Sequence, residues 1–191
     1  MIAGEAPARI RIGTSVPPPK EHAMTPKTMT EKDMFLQSFE RECQTTLRIL
    51  RAYPPGESEL KPHERSQSAR ELAWIFTLEQ LAIADAAIKG QLDFSKPRPE
   101  PPATFMEVIP AFEKAARETA TRVAQMNEGD LNQTMKFPSG PGTMSDQRRI
   151  DVLWVSLMDQ IHHRGQLSVY LRMSGAKVPS IYGPSADEPW M

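Results

Sequence analysis

Asp159 and His163 stand four residues apart in Met158-Asp159-Gln160-Ile161-His162-His163-Arg164-Gly165-Gln166-Leu167, a stretch holding two of the four histidines. One helical turn separates them, so a carboxylate and an imidazole reach toward one point and can share a divalent ion. Gln166 and Tyr170 extend the spacing to i+7 and i+11, which keeps all four within about 60° of one another on a helix. His162 points about 100° away and cannot serve the same ion without distortion. The spacing leaves other readings open: Asp159 can orient His163 by a hydrogen bond, or the two can form an ordinary helix-stabilising contact. Glu79 is the third residue of interest. Leu72, Ile75, Phe76, Ile83 and Ala86 fall within roughly a 100° arc of a helix, and Glu79 lies near its centre. A carboxylate inside an apolar stripe needs a partner, whether a hydrogen bond or ion pair from another helix, a metal ion, or a proton it exchanges as a general base.

The elements that must position these side chains follow from helical periodicity and its punctuation. Thr30 with Asp33 opens helix one, whose apolar positions Phe35, Phe39, Cys43, Leu47 and Leu50 recur up to Pro54-Pro55-Gly56. His63, beside Pro62 in the polar linker that follows, reads as a solvated or loop-pinning histidine rather than a ligand. Ser68 with Glu71 caps helix two, which stops at Gly90. Lys96-Pro97-Arg98-Pro99-Glu100-Pro101-Pro102 is a polyproline-like segment suited to a long crossover. Thr104 with Glu107 opens helix three, in which Pro110 predicts a kink or a delayed start. Residues 127–144 read as a loop in which Met135 and Phe137 pin a short turn or hairpin. Ser145 is the expected cap of helix four, which runs to Ser174 with Gly175 as its stop, roughly 45 Å. Its apolar residues occupy two faces, so it should be enclosed by neighbours. Gly165 in mid-helix suggests a close helix crossing. Four long helices, no convincing strand and a crossover predict an all-α four-helix bundle over residues 30–186, between tails at 1–29 and 187–191. Pro17-Pro18-Pro19 and weak periodicity argue against a packed element in the first tail.

Composition narrows the function classes. The 191 residues are 39% hydrophobic with a formal net charge of −1, enough for one domain with a real core. No run of Lys and Arg exceeds two residues, so a nucleic-acid partner is not expected. No stretch is long and apolar enough to span a membrane, and Arg9 and Arg11 are not followed by the apolar core of a signal peptide. The single cysteine, Cys43, lies on the apolar stripe of helix one and reads as a buried structural thiol. These features together predict a cytoplasmic protein without a membrane partner.

The run Ile161-His162-His163-Arg164-Gly165-Gln166-Leu167, followed by Tyr170-Leu171-Arg172 and Gly175-Ala176-Lys177-Val178-Pro179, resembles the DinB-like family of small metalloproteins. Tyr182-Gly183-Pro184-Ser185-Ala186-Asp187 is similar to the tail of one subgroup. The resemblance implies an up-down-down-up bundle with a long crossover, often a homodimer. It also implies a divalent metal held by three histidines, one on helix two and two spaced four apart on helix four. Some relatives are thiol-dependent transferases or hydrolases; the family's name refers to DNA-damage induction of a member and not to DNA binding.

Carried onto this chain, the resemblance makes His163 one helix-four ligand and puts Asp159 where the other histidine is expected. The helix-two ligand falls at Trp74-Ile75, where neither side chain binds metal, and Glu79 is the nearest substitute. Two carboxylates and one imidazole favour Mn, Mg or Fe over the Zn or Ni of a three-histidine site, with Mn, Fe, Ni and Zn the ions to test. The first functional expectation is therefore a metal-dependent enzyme, thiol transferase or hydrolase in type, acting on a small-molecule substrate. Glu79, Asp159 and His163 would hold the ion and His162 or Tyr170 would assist proton transfer. The second is a metal-free bundle that binds a ligand or serves as a stress-related interaction protein, with Trp74 or Ile75 filling the ligand's space.

Overall fold

The computed structural model describes residues 28–190 except Phe94 and Lys96. The expectation of an unpacked tail before Thr30 therefore lies almost wholly outside the described residues. The described residues are mostly helical with one small two-stranded sheet. Helix α1 spans Glu31–Ala52, α2 Ala69–Leu78, α3 Asp85–Lys89, α4 Phe105–Gln125, α5 Glu128–Asn132 and α6 Arg149–Met173; strands β1 and β2 span Thr134–Gly140 and Thr143–Arg148. A π-helical segment, Glu79–Ala84, joins α2 to α3 so that the helical path runs unbroken to Gly90, which turns it off at φ +81°.

Three of the four predicted start signals act as expected. Thr30 and Asp33 bond reciprocally, backbone to side chain, as do Ser68 and Glu71. The Glu107 carboxylate accepts from the backbone N–H of Thr104 at 2.9 Å. Helix α4 starts at Phe105 and runs through Pro110, which is exposed, so the carbonyl its missing N–H leaves free lies toward water.

The hairpin expected around Met135 and Phe137 is present as β1–β2, with Met135 opposite Gln147 and Phe137 opposite Ser145; its two strands correct the all-α expectation, and α5 replaces the first part of the expected loop. Ser145 therefore sits in a strand, and helix α6 begins at Arg149, where the helical period of Ile150, Leu153 and Leu157 takes over. Gly142, at φ +66°, makes the tight turn between the strands. Helix α6 is consequently 25 residues long, about 37 Å. Gly165 marks no helix crossing: a Cβ placed there would meet nothing within 4 Å.

Helix α6 packs against both α1 and α2, and α4 against the same two. Which ends meet is recorded in side chains. Arg148 at the start of α6 binds Glu31 at the start of α1. Tyr53 at the end of α1 stacks on Phe105 at the start of α4, ring centroids 4.6 Å apart. Tyr170 near the end of α6 donates to the Gln67 carbonyl just before α2, and Arg149 donates to the Ala87 carbonyl in α3. The core between these helices holds Phe35, Phe39, Leu50, Phe76, Phe112, Leu153 and Leu171, all 3% exposed or less. Cys43 is buried in it, and burial pushes its thiol up to about 12, which leaves it inert at neutral pH. After Gly175 the chain folds back: Val178 and Ile181 pack against the core, and Asp187 accepts from the Val178 N–H.

Candidate metal centre

Glu79 occupies the first position of the π-helical segment, facing α6. A π turn inserts one residue into the helical count and redirects the side chains that follow, a distortion found often at functional sites. On α6, Asp159 and His163 project one turn apart as their spacing requires. His163 Nε2 lies 3.8 Å from Glu79 Oε1 and 3.5 Å from Asp159 Oδ1. One ligand atom from each of Glu79, Asp159 and His163 lies within 4.8 Å of the others. Among the described residues no other group of three or more His, Cys, Asp and Glu side chains is assembled this way.

The three differ in environment. Glu79 is buried, His163 mostly so, and the Asp159 side chain is 42% exposed, so the group opens to solvent on the Asp159 side. Among the described residues, no donor gives a hydrogen bond to either carboxylate oxygen of Glu79. Burial, reinforced by the like charge of Asp159 and by the hydrogen bond that the protonated acid gives Asp159, pushes the Glu79 carboxyl up to about 9. A buried carboxylate without donors is an expensive group for a protein to keep. A cation between Glu79, Asp159 and His163 would satisfy its lone pairs and neutralise both acids at once, so the donor set fits a divalent ion of oxygen-preferring type.

His163 is also oriented from behind. Its Nδ1 lies 3.0 Å from Gln166 Oε1, and the amide nitrogen of Gln166 lies 3.0 Å from Nε2 of His162. The two imidazole rings sit edge to face, 5.2 Å apart. The structure thus joins His162 to the centre indirectly, through Gln166. Tyr170 stands apart: it is seven residues, about 10 Å, along α6 from His163, and its hydroxyl is committed to the Gln67 carbonyl. Trp74 lies outside the centre too, its indole N–H donating 2.8 Å to the Pro99 carbonyl beneath the crossover. His63 accepts from the Arg65 N–H within its own loop.

A second buried polar cluster, not anticipated from the spacing, lies on a neighbouring face of α6. Arg164, 1% exposed, binds Glu42 at 2.8 Å, and the Tyr182 hydroxyl donates to Glu42 at 2.6 Å. Fully buried Gln160 links Thr46 of α1 to Gln80 of the π segment. The signal was present in the sequence: Phe35, Phe39, Glu42 and Thr46 share one helical stripe, so Glu42 sits among apolar residues as Glu79 does.

Comparison with known proteins agrees with this architecture. The sequence model of the DinB family matches residues 24–190. The protein YrdA of Bacillus subtilis (strain 168), itself uncharacterised, is 24% identical over 164 residues, which is 82% of this chain and 90% of YrdA. Among solved structures, a DinB-like protein from Bacillus cereus ATCC 10987 superposes with a TM-score of 0.65 at 19% identity, covering 78% of this chain and 95% of that one. The DinB-like protein YjoA of Bacillus subtilis gives 0.60 at 17% identity, covering 78% and 97%.

Proposed function

This chain belongs to the DinB family, and we propose that it is a metal-dependent enzyme acting on a small molecule, with Glu79, Asp159 and His163 holding one divalent ion. The observation that carries this reading is the buried Glu79 carboxylate, orphaned within 4.8 Å of two further ligand atoms. The four-helix, up-down-down-up reading belongs to the same proposal. Its support is that α1 and α6 meet start to start, while α1 meets α4 and α6 meets α2 start to end.

The oxygen-rich donor set favours Mn, Mg or Fe over Zn and Ni. Such an ion supplies Lewis acidity, lowering the pKa of a bound water or thiol, which suits hydrolysis or thiol transfer. The residues supply the rest. Glu79 fixes negative charge where water is excluded, Asp159 leaves the solvent side open for a substrate, and His163 contributes the one nitrogen. His162, exposed and joined to the centre through Gln166, is the group placed to carry a proton to or from solvent. Tyr170, with its hydroxyl already engaged, is less suited to that role.

The test is metal content by inductively coupled plasma mass spectrometry on untagged protein purified without chelators, repeated after incubation with Mn, Fe, Ni and Zn. The expected result is about one equivalent per chain, lost in His163→Ala with helicity unchanged. No metal under any condition would overturn the proposal and favour the metal-free ligand-binding or interaction protein.

A further inference from the structure

A histidine ligand needs the right nitrogen bare, and in this protein that is not assured by the ligands themselves. His163 Nε2 faces Glu79 and Asp159, and the charge of Asp159 favours a hydrogen on that nitrogen, which would block it from a cation. At 3.5 and 3.8 Å those oxygens are too distant for good hydrogen bonds. The close acceptor for the ring, 3.0 Å away, is Oε1 of Gln166 on the other side, at Nδ1. A hydrogen held there leaves Nε2 with its lone pair directed at the centre.

This works only while the Gln166 amide keeps its orientation. Turned over, it would present N–H to Nδ1 and force the hydrogen onto Nε2. His162 opposes the turn, because its Nε2 lies 3.0 Å from the amide nitrogen of Gln166 and turning the amide over would require the His162 hydrogen to move onto Nε2 as well. The spacing explains the arrangement: Gln166 is i+4 from His162 and i+3 from His163, so one amide on the exposed side of α6 reaches both rings.

We propose that Gln166 is a positioning residue that sets the tautomer of His163, with His162 fixing the orientation of the Gln166 amide. This rests on the metal-site reading for its purpose but not for its test. Gln166 is exposed, so replacing it leaves the core intact.

The experiment is imidazole ¹⁵N NMR on the metal-free full-length chain at about pH 8. Wild type should show His163 hydrogenated at Nδ1. Gln166→Leu should move the hydrogen to Nε2, and Gln166→Glu, which keeps an acceptor, should hold it at Nδ1. A companion Mn titration should show affinity falling about 10- to 100-fold in Gln166→Leu and returning to within a few-fold of wild type in Gln166→Glu. The same tautomer in wild type and Gln166→Leu would overturn the proposal, as would equal affinity for Mn in both. If wild type binds no Mn, the site reading fails while the NMR comparison still decides the role of Gln166.

Discussion

His163 and Arg164 are consecutive on α6, about 100° apart around it, and reach different buried glutamates, Glu79 and Glu42. Glu42 and Glu79 are nearly equal in exposure, 2% and 3%. Their surroundings differ. Burial alone would raise the Glu42 carboxyl, but hydrogen bonds from Tyr182 and Arg164, with the Arg164 charge, outweigh it and hold the group below its ordinary value. Glu79 has burial and the neighbouring Asp159 charge but no donor, and is pushed up to about 9. Burial therefore does not separate the two carboxylates; the presence of donors from the chain does. Glu42 is completed by its own protein and ties α1, α6 and the C-terminal segment together. Glu79 receives no such donor among the described residues, and the proposed metal ion would take that place.

The largest test of this contrast removes the donor from the satisfied side. Arg164→Ala strands Glu42 in the core, and stability should fall by about 3–5 kcal/mol, lowering Tm by about 10 °C or more. A loss below about 1 kcal/mol in thermal denaturation would erase the distinction between the two glutamates.

The opposite substitution sharpens it from the unsatisfied side. In metal-free protein at pH 7, Glu79→Gln mimics the protonated acid without the cost of taking up its proton, and should raise stability by roughly 1–3 kcal/mol. The pH dependence should carry the same signature with opposed signs. The folded state holds the Glu79 proton more tightly than the unfolded state, so that contribution is full below the ordinary value of 4.5 and is lost as pH rises toward about 9. Glu42 is lowered, so its contribution is present above 4.5 and lost as pH falls through its folded value. Chemical denaturation from pH 5 to 9 should show stability declining in metal-free wild type and flatter in Glu79→Gln. Parallel slopes in the two proteins would show that Glu79 is not held protonated. Added metal should reverse the effect of the substitution, since the neutral amide of the Glu79→Gln variant offers the ion no charge.

Much of this was legible in the sequence, for reasons that can be named. Caps and period fixed the helices at Thr30, Ser68, Thr104, Gly90 and Gly175, because each signal is local. Glu79 stood out as a charge at the centre of an apolar stripe, and Asp159 with His163 by their one-turn spacing. The hairpin was harder to see. Thr143–Arg148 carries no helical period and little apolar alternation, and is a strand because Thr134–Gly140 supplies its hydrogen bonds. The π segment leaves no mark in composition. Glu42 and Arg164 lie far apart in the chain, so the sequence could show that Glu42 needed a partner but not that Arg164 was it. Gln166 appeared on the right stripe, yet its role depends on two distances of 3.0 Å that no spacing rule resolves.

The smallest effect separates the parts of the satisfied cluster. The Tyr182 hydroxyl donates to Glu42 at 2.6 Å and accepts from Arg164 at 2.5 Å, while the rest of its ring is largely exposed. Tyr182→Phe removes those bonds and leaves the ring over the guanidinium, 5.3 Å from its centroid, so the loss should be about 1 kcal/mol. Because Glu42 keeps Arg164, the acid should remain ionised, and its folded value should rise without approaching that of Glu79. The acid limb of the stability curve should then shift slightly toward higher pH, with the limb above pH 5 unchanged. A loss as large as that of Arg164→Ala would instead make the C-terminal segment the main support of Glu42. The two glutamates would then differ in which part of the chain reaches them, and Arg164 would be secondary.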